Sequence, residues 1–231
     1  MTTPEAKTTV VLASGGLDST VAIALELYQQ RSVAALTINY GQRHTAELRA
    51  IRSVINTYQR DGQPITHKVL DVSNLGPLLK SALTDPSAAI PEGHYAEPSM
   101  ATTIVPNRNM ILVAIASGYA ASIGADRVTI GCHGGDHYIY PDCREGFIEA
   151  ADLCVDRATE GQVSVYAPLL NDTKAGVVRM GALLDAPMHL TWSCYQTPTV
   201  AWRHCGVCGT CNERKEAFKL AGVLDPTTYM E

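Results

Sequence analysis

The sequence predicts an α/β fold: a doubly wound parallel sheet of about five strands, with helices on both faces and a small C-terminal four-cysteine knuckle. Three observations carry this. Short apolar, β-branched runs alternate with longer helical patterns, which is how buried parallel strands and their crossovers read. A glycine turn, Ser14-Gly15-Gly16-Leu17-Asp18-Ser19, stands directly between the first run and the first helical pattern. Cys194, Cys205, Cys208 and Cys211 gather near the far end of the sequence. The 231 residues suffice for one large domain, 1–190, with a small appendage, 191–231.

Residues 8–13 (Thr-Thr-Val-Val-Leu-Ala) read as the first strand, and residues 18–30 as a helix with Val21, Leu25 and Tyr28 as its inner stripe. The turn between them makes an anion site. The first N–H groups of a helix have no internal partner, and the helix dipole adds partial positive charge there. Gly15 and Gly16 let the backbone turn sharply, while Ser14, Ser19 and Thr20 add hydroxyl donors. Ala13 to Thr20 (Ala13, Ser14, Gly15, Gly16, Leu17, Asp18, Ser19, Thr20) therefore suit a phosphate chain. The turn is not a Walker loop, because no lysine follows the glycines, and it lacks the three spaced glycines of the dinucleotide fingerprint.

Val33 to Asn39 reads as the second strand. Tyr40-Gly41-Gln42-Arg43-His44 lies at its carboxyl end, where parallel sheets form ligand crevices, although an ordinary turn with a solvated Arg43 reads equally well. Helix 45–60 and strand 65–71 follow. Residues 72–106 lack periodicity and carry Pro77, Pro86, Pro91, Pro98 and Pro106, so they read as a substrate lid or as a surface insertion. Val105-Pro106-Asn107-Arg108-Asn109 opens helix 110–123, with Asn107 in the N-cap region. The dipole disfavours a cation at a helix start, so Arg108 is expected to face an anion. Strand 127–131 leads into a loop, 132–144, dense in polar and aromatic groups; helix 145–159, strand 163–168 and helix 174–184 complete the body. Asn171-Asp172-Thr173 is the N-cap cluster of that last helix.

The cysteine spacing C-x10-C-x2-C-x2-C brings four thiolates to one tetrahedral ion. Such a closed set suits structural zinc; an iron–sulfur cluster shares the ligand type. Cys132, Cys143 and Cys154 lie too far apart to join it. An odd total of 7 cysteines, clustered near one end, points to metal ligands and not to disulfides. Residues 212–220 read as a short helix that packs the knuckle onto the body.

Apolar residues make up 46% and charged residues 18%, as in a globular enzyme. A net charge of −5 and a pI near 5.8 argue against nucleic acid as the main partner. Met1 to Lys7 is polar and no apolar run reaches membrane length, so neither a secretory signal nor a membrane span is expected and the expected location is cytoplasmic.

The form Ser14-Gly15-Gly16-Leu17-Asp18-Ser19 resembles the pyrophosphate loop of the ATP pyrophosphatase (PP-loop) superfamily, whose sheet is Rossmann-like, of the adenine nucleotide alpha hydrolase-like kind. Together with Tyr40 to His44, Val105 to Asn109, Tyr140-Pro141-Asp142-Cys143-Arg144, Thr191-Trp192-Ser193-Cys194-Tyr195 and the four cysteines, the chain resembles the 7-cyano-7-deazaguanine synthase family over about residues 8–226. The resemblance implies ATP-dependent conversion of 7-carboxy-7-deazaguanine and ammonia to the 7-cyano compound, through an adenylated carboxylate, an amide and an adenylated amide. It also implies Mg²⁺, one structural Zn²⁺ at Cys194, Cys205, Cys208 and Cys211, and a homodimer. Ser14, Asp18, Ser19, Arg108 and Lys174 are then the candidate catalytic residues, with Asp18 holding Mg²⁺ or capping its helix and Lys174 neutralising phosphate charge. Arg43, Asn107, Arg108, Asp136, Tyr140, Asp142 and Arg144 are the candidate substrate-binding residues. In that set Asp136 or Asp142 would accept the base's N–H groups, Tyr138 or Tyr140 would stack on the ring, and Arg108 or Arg144 would meet the substrate carboxylate. The chain departs from the family pattern at Gly131-Cys132-His133, Tyr138-Ile139 and Lys174-Ala175-Gly176. The alternatives are a PP-loop enzyme that stops at the 7-amido product, another adenylating amide synthetase or tRNA-modifying enzyme, and a nucleotide-binding regulator without turnover.

Overall fold

The computed structural model describes residues 7–43, 45–94, 98–196 and 202–230, apart from the side chain of His137. His44, residues 1–6 and part of the stretch between Cys194 and Cys205 lie outside the described residues. Strands β1 (Thr8–Leu12), β2 (Ser32–Asn39), β3 (Ile65–Asp71), β4 (Arg127–Thr129) and β5 (Ser164–Tyr166) form one parallel sheet in the order β3-β2-β1-β4-β5. The connecting helices are α1 (Leu17–Tyr28), α2 (Ala46–Arg60), α3 (Arg108–Ser122), α4 (Glu145–Ala158) and α5 (Lys174–Leu183), and α6 (Gly209–Ala221) closes the chain.

Side chains alternate across a strand, so β1 feeds two cores. Val10 and Leu12 join Val113, Ala116, Ile148 and Ala151 of α3 and α4. Val11 and Ala13 join α1, α2, α5 and α6 on the other face, through Val21, Ile51, Val178 and Phe218. This is the doubly wound arrangement that the alternating runs predict. The chain winds outward from β1 to β3, then returns to place β4 on β1's other side. At that reversal the loops after β1 and β4 part, which leaves a crevice at their carboxyl ends.

The structure corrects the sequence reading in three places. Tyr28 is 75% exposed at the C-terminal end of α1 and does not belong to an inner stripe; the burial of α1 falls on its earlier turns, through Leu17, Val21, Ala22, Ile23 and Ala24 between the sheet and α5. β4 and β5 are shorter than expected, and the chain beyond β4 passes against the first turn of α1. A Cβ on Gly131 would lie 3.1 Å from the Asp18 carbonyl carbon and from the Ser19 nitrogen. Residues 72–106 are no surface insertion throughout. They hold 3-10 turns at Ser73–Leu78 and Pro98–Thr103, and they bury Ala82, Leu83, Ile90 and Met100. No helix among the described residues is long and apolar enough to cross a membrane.

Candidate active site

The glycine turn has the form its sequence requires. β1 hands over at Ala13, whose N–H still bonds the Leu36 carbonyl at 2.9 Å. Gly15 has φ +96°, and a Cβ there would lie 2.4 Å from the Glu47 carbonyl oxygen and 2.7 Å from the Ile51 nitrogen. The backbone is thus pressed against α2, a conformation and a closeness that only glycine permits. Gly16 is the N-cap of α1, and no side-chain hydrogen bond caps the helix among the described residues. The N-terminus of α1 is therefore left without a side-chain cap, as an anion site requires. The Ser14 and Ser19 hydroxyls lie 3.1 Å apart beside them. Ala13, Ser14, Gly16, Leu17, Asp18 and Ser19 line a crevice of about 220 Å³. Two members of the predicted set do not. Gly15 packs on α2, and the buried Thr20 hydroxyl donates to the Gly16 carbonyl at 2.9 Å.

Lys174 opens α5, with Thr173 as N-cap accepting from Gly176 N. Its Nζ lies 2.8 Å from Asp18 Oδ2 and 3.3 Å from Glu213 Oε2. Burial lowers the lysine pKa, but the carboxylates of Asp18, Glu213 and Asp136 outweigh it and hold the pKa above the ordinary value. Burial likewise raises the Asp18 pKa, and Lys174 and His133 reverse that, so the carboxyl stays ionised below its usual range. Asp18 Oδ1 is buried without a hydrogen-bond partner among the described residues. His133 is fully buried, with Nε2 at 3.5 Å from Asp136 Oδ2 and 3.9 Å from Asp18 Oδ1, while Nδ1 accepts from Gly135 N. His133, Asp136 and Glu213 bring their ligand atoms within 4.8 Å of one another.

Across the crevice stands Arg108, the first residue of α3. Burial works against its charge, but Tyr40, Cys143, Asp142 and Tyr140 overcome it and raise the pKa. The anion that the dipole argument demands is in part supplied by the protein itself. Asp142 Oδ2 accepts the Asn109 N–H at 2.9 Å and so caps α3 from another loop. Asn107, the residue expected to cap, sits at φ 55° with no side-chain capping bond. Tyr140 is buried, with its hydroxyl 2.8 Å from Thr103 Oγ1 and 3.2 Å from Tyr195 Oη.

Of the predicted substrate-binding set, Arg108, Asp136 and Tyr140 line the crevice. The other four have different places. Arg43 Nη1 donates to the carbonyls of Ala82, Asp85 and Ala88, which pins the long segment after β3. Asp142 is occupied as a cap, and Asn107 and Arg144 are exposed outside the crevice. Tyr138 is 87% exposed and does not stack there. Sequence reasoning does not single out Tyr40, Gln42, Glu47, His133 or Glu213, all beside the site. Tyr40, Gln42 and His133 stand in loops at the carboxyl ends of strands, segments that topology flags without naming the residue that enters the site. Glu213 carries no such signal, because it reaches the site only through the docking of α6.

The four C-terminal cysteines meet as predicted. All their sulfurs lie within 4.8 Å of one another, with Cys205–Cys211 at 3.8 Å and Cys194–Cys208 at 3.9 Å. A tetrahedral ion bonded to sulfur at about 2.3 Å sets its ligands about 3.8 Å apart, so the cluster has the spacing of a closed four-thiolate site. Backbone N–H groups of Gln196 and Cys205 point at Cys194 Sγ, and that of Cys208 at Cys205 Sγ, which favours thiolates. His204 is not a fifth ligand. Its Nε2 accepts from Ser193 N and its ring stacks on Trp192 at 4.2 Å.

A sequence model described as queuosine biosynthesis protein QueC matches residues 8–222. A 7-cyano-7-deazaguanine synthase from Rhizobium meliloti (strain 1021) is 48% identical over 225 residues, covering 96% of this chain and 91% of its own. One from Brucella ovis is also 48% identical, covering 96% and 93%. Among solved structures, NMN synthetase from Francisella tularensis superposes with a TM-score of 0.50 at 14% identity, over 96% of this chain and 79% of that one. The NH3-dependent NAD synthetase from Campylobacter jejuni reaches 0.51 at 13% identity, over 80% and 67%. At such identities these two share the fold.

Proposed function

The chain belongs to the QueC family of queuosine biosynthesis proteins, and from that premise we propose that it converts 7-carboxy-7-deazaguanine and ammonia to 7-cyano-7-deazaguanine at the expense of ATP. The carrying observation is that the open N-terminus of α1, Lys174 and the Arg108–Asp136–Tyr140 wall share one crevice.

In this reading the ATP phosphates lie on the α1 amides and the Ser14 and Ser19 hydroxyls. Oriented donors that are in place before reaction stabilise charge as it develops on the pyrophosphate leaving group. Lys174 lies at the same end of the crevice, cationic throughout, and offsets that charge. Arg108 pairs with the substrate carboxylate and brings its oxygen toward Pα. Asp136 accepts the N–H groups of the base, and Tyr140 packs beside it. Attack of the carboxylate oxygen on Pα releases pyrophosphate; ammonia then displaces AMP to give the amide. A second adenylation, on the amide oxygen, followed by loss of AMP leaves the nitrile.

Asp18 Oδ1, buried and unpartnered, fits a Mg²⁺, which when bound would neutralise phosphate charge. Cys194, Cys205, Cys208 and Cys211 fit a structural Zn²⁺. The division into a nucleotide-binding body, 1–190, and a metal-held knuckle, 191–231, belongs to the same proposal, as do a cytoplasmic location, a homodimer and the absence of a nucleic-acid partner.

Incubation with ATP, ammonium and 7-carboxy-7-deazaguanine is expected to release AMP and pyrophosphate and to give a product of nitrile mass. No AMP would overturn the reading, and an amide mass would replace the product. Light scattering of the eluted protein checks the dimer, with a monomer mass refuting it.

A further inference from the structure

We propose that Glu213 is a positioning residue of the adenylation site, through which the cysteine knuckle sets the place of the Lys174 ammonium. This rests on the reading of the crevice as an ATP site.

Lys174 begins a helix, where the dipole disfavours a cation, so its place depends on anions brought from elsewhere. Two anions hold it from different elements, Asp18 of α1 at 2.8 Å and Glu213 of α6 at 3.3 Å, with His133 Nε2 at 3.1 Å beside them. With Glu213 neutralised, Asp18 is the one carboxylate left in direct contact with the ammonium, which shifts toward α1 and away from α6. Glu213 is on α6, and α6 is placed by the cysteine cluster, with Cys208 as its N-cap and Cys211 in its first turn. A slip of one residue turns a helix by about 100° and would swing the carboxylate away from Lys174.

The next residue locks that register. Arg214 is fully buried, and its guanidinium donates to Thr191 Oγ1 at 2.8 Å, to Ser193 Oγ at 3.1 Å and to the Met188 carbonyl at 3.1 Å. The same segment closes on the phosphate loop, where Trp192 N donates to the Gly15 carbonyl at 2.9 Å. The knuckle thus reaches the ATP site through Trp192 and Glu213, and among the described residues of the crevice lining Glu213 is the one from the knuckle that carries charge.

The test uses metal-loaded Glu213→Gln and Glu213→Asp, with α,β-methylene-ATP as an uncleavable probe in calorimetry. Outer-shell groups that orient a metal ligand are typically worth 10- to 100-fold; with an effect at the low end of that range, Glu213→Gln is expected to weaken the probe about tenfold and to raise KM for ATP by a like factor, with KM for the carboxylate substrate unchanged. Glu213→Asp should recover most of the affinity. Both variants should retain the wild-type metal content. With Mg²⁺ kept in excess, a zinc-selective chelator should weaken probe binding by the wild type at least to the level of Glu213→Gln. A folded, metal-loaded Glu213→Gln that binds the probe as the wild type does would overturn the proposal. A wild type that fails to bind the probe would instead overturn the ATP reading.

Discussion

Asp136 and Asp142 stand in one loop and do different work. Asp136 faces the crevice beside His133, whereas Asp142 turns away to accept the Asn109 N–H. A capping acceptor is worth about 1 kcal/mol, so Asp142→Ala should lower the melting temperature by a few degrees while leaving the affinity for 7-carboxy-7-deazaguanine unchanged. Calorimetric titration of the base against the folded variant checks this; a loss of base affinity at unchanged stability would return Asp142 to the site. Gly15 is the opposite case, a residue whose side chain is its absence. Gly15→Ala places a Cβ 2.4 Å from the Glu47 carbonyl oxygen at φ +96°. Forcing a side chain into that conformation costs roughly 1–3 kcal/mol before the clash with α2 is added, so both stability and ATP binding should fall. Thermal melts with and without α,β-methylene-ATP separate the two losses, and wild-type behaviour in both would contradict the packing described. The glycine turn is legible at this scale because each of its residues is dictated locally. The anion opposite Arg108 is legible as a charge but not as a name, because Asp142 arrives from a loop separated from Arg108 in sequence by an entire helix and strand.

At the scale of elements, the strands and helices follow from patterning, and the misread ones involve tertiary packing. α1 is buried through its earlier turns between the sheet and α5, and β4 ends short of Gly131, which passes α1. The segment after β3 shows no period because its order comes from elsewhere. Arg43 ties it through three carbonyls, and its far part meets the knuckle through an antiparallel bridge between Glu92 and Cys208. β3 carries a titratable link to the site. His67 Nε2 lies 2.9 Å from Thr37 Oγ1, which donates to the Ala13 carbonyl. Burial, aided by Arg52, holds the His67 pKa below the ordinary histidine value. The unfolded chain therefore takes up this proton at about pH 6.5, above the folded value, so the contribution is present above that pH and is lost as the pH falls below it. The melting temperature of the wild type should drop more between about pH 7.5 and 5.5 than that of His67→Gln. Parallel profiles for the two proteins would show that His67 does not report on folding.

The whole molecule poses the question of whether the cysteine knuckle is an appendage or part of one cooperative unit. The boundary proposed near residue 190 rests on the clustering of the cysteines in the sequence, and clustering says nothing of packing. Cys194, Cys208 and Cys211, with Trp192 of their own segment, share a buried cluster with Tyr40, Ala50, Leu83 and Val105, drawn from three separate stretches of the body. Asn212 Nδ2 donates to the Gly93 carbonyl at 2.6 Å, and Trp192 N to the Gly15 carbonyl at 2.9 Å. Few of these contacts could break without exposing the rest, so knuckle and body should unfold together. An ion held only by the folded chain stabilises it by mass action, about 4 kcal/mol when its free concentration is 1,000 times the dissociation constant, so chelation should lower the midpoint by roughly 10 °C. The chain supplies its own probes. Its 2 tryptophans, Trp192 and Trp202, lie with ring centroids 4.7 Å apart at the knuckle, so tryptophan fluorescence reads that region while far-UV circular dichroism reads the helices and sheet. With and without chelator, the two signals should trace one transition that moves as a whole. If chelation instead shifts fluorescence to lower temperature and leaves the dichroism in place, the knuckle folds on its own, and its influence on the phosphate loop must pass through side chains such as Glu213 and not through shared stability.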